Sequence, residues 1–406
     1  MTVARENIDA LTGLRFVAAF LITFGHSWAP ALDITAIGMP LFFTLSGFII
    51  HYVYSEAFQG RWSRATGQFA FARFSRLYPL YWFLMIYFML RTAMGAMLAH
   101  PDNFPALLGY LFACWTWWPA LADGKPVWFY FISWSVSTEI FFYVCYALFL
   151  YRLAAIRSVR SCLWALVAFC LLAYAFFFAL FITRDIWEPA VLQGHPEFIS
   201  RVDDFEMSFY RWFLYLSPYC RLPEFIGGVL TCQLFRLSRQ QHSIVDRVRP
   251  ATVGIVAIAV MAVLYAQLRY FGENDPWKAV GHFTYGAFVV NLHQNFLFAP
   301  CCYAVMFSLA CGGWGLARAL SSGPARFLGD ISYSTYLSHQ RLTWWLEEHF
   351  ALSQQLPTLL YLALLLPAIY LLSWGLYTVV EMPAKRVLRG LVSTRTERRS
   401  TVSTGG

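Results

Sequence analysis

Apolar runs about as long as a bilayer is thick recur along the whole chain. They cover 11–31, 37–54, 77–98, 131–151, 162–182, 212–235, 251–270, 280–311, 328–346 and 356–380. A helix needs about 20 mostly apolar residues to cross the ~30 Å hydrocarbon core. The predicted fold is therefore all-α, a polytopic membrane bundle of about ten transmembrane helices. Composition agrees, because 59% of the 406 residues are hydrophobic and only 13% are charged, against about 25% charged in soluble domains. A soluble enzyme, a disordered chain and a nucleic-acid binder are excluded. One further stretch, 104–121, is apolar but short and bounded by prolines, and reads as re-entrant or interfacial. The first run outlasts a signal-peptide core and lacks a small-x-small cleavage site, so it is expected to stay as a helix. The nine cysteines form no CxxC pair and lie mostly inside apolar runs. They read as small core residues and not as a metal site or disulfide frame.

Charge orients the bundle. With 104–121 not crossing, ten spans put both termini on one side. That side then collects Arg5, Arg61, Arg64, Arg73, Arg76, Arg152, Arg157, Arg160, Arg236, Arg239, Arg247, Arg249, Arg318 and Arg326. It also collects the basic residues from Lys385 onward. Basic loops stay cytoplasmic, so both termini are expected inside and the acidic stretch 183–211 outside. Residues 1–390 are expected to form the membrane domain. Residues 391–406 are expected to form a basic, disordered cytoplasmic tail, and the chain a multi-pass protein of a bacterial-type inner membrane.

A polar side chain at bilayer depth is costly and marks a candidate site. Arg15 and His26 lie eleven residues apart. At ~100° and 1.5 Å per residue they share one helix face, ~16 Å apart. One face thus carries a cation near the cytoplasmic edge and an imidazole deeper in; snorkelling and a packing histidine are the bland alternatives. Arg73 and Arg76 form an R-x-x-R pair before Pro79. Placed at a helix start, two guanidinium forks suit bidentate phosphate binding, or merely anchor topology. Glu139 is a lone carboxylate near the outer start of its span and needs a partner, or else reaches the headgroups. His339 follows Ser332, Ser334, Thr335 and Ser338 on a polar helix, which suits either a lined cavity or interhelical hydrogen bonds. Arg221 and Glu224, at i,i+3 spacing, read first as a structural ion pair.

Seven segments then appear in order: LTGLRFVAAFLITFGH (11–26), GMPLFFTLSGFIIHYVY (38–54), FARFSRLYPLYW (71–82), SWSVSTEIFFY (133–143), RLPEFIGG (221–228), LGDISYSTYLSH (328–339) and VEMPAKR (380–386). Together they resemble the acyltransferase family 3 of integral membrane acyltransferases. Where that family often has two adjacent acids, this chain has Thr138 and Glu139. The resemblance implies transfer of an acyl group, usually acetyl, from cytoplasmic acyl-CoA to a hydroxyl of a surface carbohydrate or glycolipid. It implies no bound cofactor and no metal. On that reading His26 is the base or acyl carrier and Glu139 its orienting acid, with His339 as the other candidate for that role. Arg15, Arg73 and Arg76 hold the acyl-CoA phosphates. A glycolipid transporter is the competing class, and the absence of paired, broken-helix halves counts against it.

Overall fold

The computed structural model describes residues 4–27, 34–92, 104–119, 128–196, 198–200, 203, 208–241, 248–272, 285–293, 295–388 and 390. Among them the chain is almost wholly helical, and its one β contact is an isolated bridge between Ile199 and Ser208. The chain opens with α1 (Ala4–Ser27), α2 (Thr35–Tyr54) and α3 (Trp62–Thr92). Next come α4 (Phe104–Leu111), α5 (Trp134–Leu148), α6 (Val159–Ile182) and α7 (Arg184–Gly194). A π-helical turn, Trp212–Leu216, leads into α8 (Pro218–Gln240). The remainder is α9 (Pro250–Gly272), α10 (Tyr285–His293), α11 (Ala299–Cys311), α12 (Gly315–Leu320), α13 (Gly323–Asp330), α14 (Ser332–Phe350) and α15 (Thr358–Leu376).

Local chemistry sets the ends. The Ser158 hydroxyl accepts the Ser161 amide at 3.5 Å to open α6. Pro218 and Pro300 occupy first turns, where no amide hydrogen is needed. Gly312, at φ +72°, closes α11. At the centre α2 packs along α8, and α1 packs against α2, α13 and α14. The α2–α8 contact is backbone to backbone. A Cβ on Gly228 would fall 2.0 Å from the Thr44 carbonyl oxygen, and one on Gly47 would fall 2.1 Å from that of Phe225. Small residues permit this approach, and between membrane helices van der Waals packing is the main attraction.

The bundle corresponds to the expected class, with informative differences. Among the described residues six helical stretches are long and apolar enough to cross a membrane: Asp9–Ser27, Thr35–Tyr54, Phe131–Leu148, Val159–Ile182, Pro250–Phe271 and Thr358–Leu388. Helices α3, α8 and α14 also have spanning length, but their arginines, serines and histidine make them too polar to join that set. They pack against the centre of the bundle, where polarity can be matched. The run at 280–311 does not form one helix. Asn295 turns the chain by accepting the Phe296 amide at 2.7 Å and donating to the Leu214 carbonyl at 3.3 Å. Segment 104–121 yields only the eight residues of α4 before a tight turn at Ala113, φ +50°. Eight residues rise ~12 Å, too little to cross. The stretch 55–76 is not an open loop, because α3 begins at Trp62 and carries Arg64, Arg73 and Arg76 on its body. The tail 391–406 lies outside the described residues.

Candidate active site

Helices α1, α2, α3, α5, α13 and α14 enclose a cavity of about 290 Å³. Its polar lining is Thr12 and Arg15 from α1, Arg73 and Arg76 from α3, Ser135 and Glu139 from α5 and Asp330 from α13, with Ser46 and two tyrosines of α14. Arg73 and Arg76 share a helix face at i,i+3, several turns inside α3 and not at its start. The phenols of Tyr333 and Tyr336 donate to the carbonyls of Leu77, at 2.8 Å, and Ile132, at 3.1 Å. These two bonds hold α14 beside the arginine pair.

The three guanidiniums differ. Arg73 donates to the Tyr54 hydroxyl at 3.3 Å and sits over the rings of Tyr54 and Tyr143, 5.4 and 5.9 Å from their centroids. Arg15 and Arg76 make no hydrogen bond or ion pair with any described residue, and both face the cavity. Two open guanidiniums beside one held between aromatic rings have the chemistry to receive an anion with several charges.

Glu139 accepts the Ser46 hydroxyl at 3.0 Å and the Tyr143 phenol, both on Oε1. It therefore belongs to the arginine cavity. No hydrogen bond joins it to His26, so the expected direct pair is not formed. The physical reason is local, because Tyr143 stands one turn along the same helix and Ser46 faces it from α2.

His26 instead meets His339. The Nδ1 of His26 lies 3.0 Å from the Nε2 of His339, and the rings stack with centroids 5.3 Å apart at 9°. The other nitrogen of His339, Nδ1, faces the carbonyls of Tyr336 at 2.8 Å and Thr335 at 3.2 Å. Carbonyls only accept, so that Nδ1 carries the hydrogen and Nε2 is a bare acceptor. The His26 Nδ1 must then donate, which leaves the His26 Nε2 with a free lone pair. No described residue occupies it. His339 is fully buried while His26 is exposed. The buried ring is thus fixed by its neighbours, and the exposed ring keeps one nitrogen open. Tyr336 links the two regions, since it lines the cavity and its ring lies 6.1 Å from that of His339.

Arg221 and Glu224 pair at 3.2 Å, with side chains 1% and 0% exposed. The guanidinium lies 5.2 Å from the ring of Phe43, which lines the far side of that wall. This ion pair braces the cavity from behind and does not line it. The sequence reasoning passed over Asp330, Ser46 and Tyr143. The first is the acid of LGDISYS, and the last stands at i+4 from Glu139, a spacing that brings side chains together.

A family model described as an acyltransferase domain matches residues 8–378, nearly the whole chain. No curated protein and no solved structure matches it.

Proposed function

The chain belongs to acyltransferase family 3, and from that premise we propose that it transfers an acetyl group from cytoplasmic acyl-CoA to a hydroxyl of a carbohydrate or glycolipid acceptor. The observation that carries this reading is the His26–His339 pair, which leaves one imidazole lone pair open on the same helix as Arg15. A hydroxyl is a poor nucleophile near neutral pH and needs a base within hydrogen-bond reach. The His26 Nε2 takes the acceptor's proton as its oxygen attacks the thioester carbonyl. The new C–O bond forms, the C–S bond breaks, and the imidazolium returns the proton to the departing thiolate. His339 holds the tautomer throughout, as the acid of a hydrolase triad does, but as a neutral group. Arg15, Arg73 and Arg76 bind the phosphates of the donor. Glu139, through Tyr143, keeps Arg73 in place.

The test is His26→Gln in membranes supplied with acetyl-CoA and acceptor. Acetyl transfer is expected to vanish while the protein accumulates normally. Gln can neither take the proton nor carry an acyl group, so transfer near the wild-type rate refutes the assignment.

A further inference from the structure

His51 lies in the last turn of α2 and has no part in the reaction above. It is fully buried and uses both ring nitrogens. Its Nε2 lies 3.2 Å from the Oε1 of Gln233 on α8, and its Nδ1 lies 3.2 Å from the hydroxyl of Tyr146 on α5. The far end of the network sets the direction of each bond. The Gln233 Nε2 donates to the carbonyls of Ile156 at 2.7 Å and Ala154 at 3.4 Å. The Gln233 Oε1 only accepts, so the His51 Nε2 carries the hydrogen and the bare Nδ1 accepts from Tyr146. One neutral imidazole thus ties α2 to both α5 and α8.

The seam between α2 and α5 is also where Arg73 is held. Tyr54 of α2 and Tyr143 of α5 supply the two rings beside its guanidinium. Tyr54 stands three residues from His51 and Tyr143 three from Tyr146, so each ring is one turn from an end of the His51–Tyr146 bond. Phe69 of α3 fills the space between them. Its ring lies 5.0 Å from that of Tyr54 and 5.7 Å from those of Tyr143 and Tyr146. The reactive histidine is remote. A Cβ on Gly25, next to His26, would fall 2.6 Å from the Cγ2 of Thr35, and Thr35 lies about 24 Å along α2 from His51.

We propose that His51 is a positioning residue for the donor clamp: its bond to Tyr146 fixes α2 against α5 where Tyr54 and Tyr143 hold Arg73. This rests on the acyl-CoA reading above. A guanidinium pre-set by its neighbours loses less freedom when it takes a phosphate, so loosening the seam costs donor affinity and leaves the chemistry at His26 alone.

His51→Phe keeps a flat ring and removes both bonds. Direct binding of CoA to the purified, detergent-solubilised full chain is expected to weaken on the order of tenfold, as for a charge-assisted contact loosened but not lost. KM for acetyl-CoA should rise with it while kcat per folded molecule is kept. A histidine that served stability alone would change the amount of folded protein and not its KM. His51→Asn places an accepting oxygen about where Nδ1 stood and should recover most of the binding. In an Arg73→Gln background His51→Phe should cost little further, since both act through one guanidinium. If the wild-type protein binds no CoA, the donor reading fails and this inference falls with it. If the wild type binds CoA and His51→Phe binds it equally well, this inference alone fails. A His51→Phe protein that does not accumulate moves the test to Tyr146→Phe, which removes only the hydroxyl. CoA binding is then expected to weaken severalfold, and unchanged binding overturns the inference.

Discussion

Replacing His339 with alanine removes the acceptor that fixes the Nδ1 hydrogen of His26, 3.0 Å away. The lost interaction is a hydrogen bond between two neutral rings, worth about 0.5–1.5 kcal/mol net. At 1.36 kcal/mol per decade that is roughly 2- to 13-fold in rate. A freed His26 ring also divides its time between two tautomers and more than one orientation, which costs about as much again. The expected fall in kcat is thus on the order of 10- to 100-fold, well short of the ~10⁴ seen when a charged acid orients a catalytic histidine. The assay is release of CoA thiol by membranes given acetyl-CoA and acceptor, normalised to the amount of inserted protein. His339→Ala on top of His26→Ala should cost almost nothing further, since both act through one nitrogen. Wild-type kcat in His339→Ala would refute the orienting role. Activity as low as that of His26→Ala would refute the division into support and reactive ring.

Two expectations concern the clamp and its setting. Arg73→Lys keeps the charge but gives up the planar group over Tyr54 and Tyr143. KM for acyl-CoA should rise by the equivalent of about 1.5–3 kcal/mol if a charge-assisted contact is lost, and an unchanged KM would reduce Arg73 to a topology anchor. A tag placed at residue 195 should be labelled from outside intact cells and one at residue 404 should not; labelling of the latter would reverse the orientation read from the basic loops.

Much of this arrangement is legible in the sequence because helical spacing is local. Arg15 and His26 fall on one face by arithmetic, and Arg73 and Arg76 do so at i,i+3. The pairing of His26 with His339 joins residues 313 positions apart. It depends on α1 packing against α14, which no local period encodes. Glu139 shows the converse. Its depth invites a distant cation, whereas the structure satisfies it with Tyr143, four residues on, and with Ser46. The split of 280–311 falls where Asn291, His293, Gln294 and Asn295 cluster, but apolar stretches on both sides mask that cluster. The turn depends on Asn295 reaching the Leu214 carbonyl from another part of the chain.

Helix α3 is 31 residues long, about 46 Å at 1.5 Å per residue, against a hydrocarbon core of ~30 Å. An upright α3 therefore overhangs the oily layer by about ten residues. If its first turns face the basic side, Arg64 would stand among the lipid headgroups, with Arg76 about 18 Å further along the helix. Anionic lipids carry the same phosphate chemistry as the proposed donor and are present at far higher local concentration. Each donor molecule would then arrive by exchange with lipid and not by filling an empty site. On that view the enzyme's apparent affinity for acyl-CoA belongs partly to the membrane, and a change in lipid composition would retune it with no change in the protein.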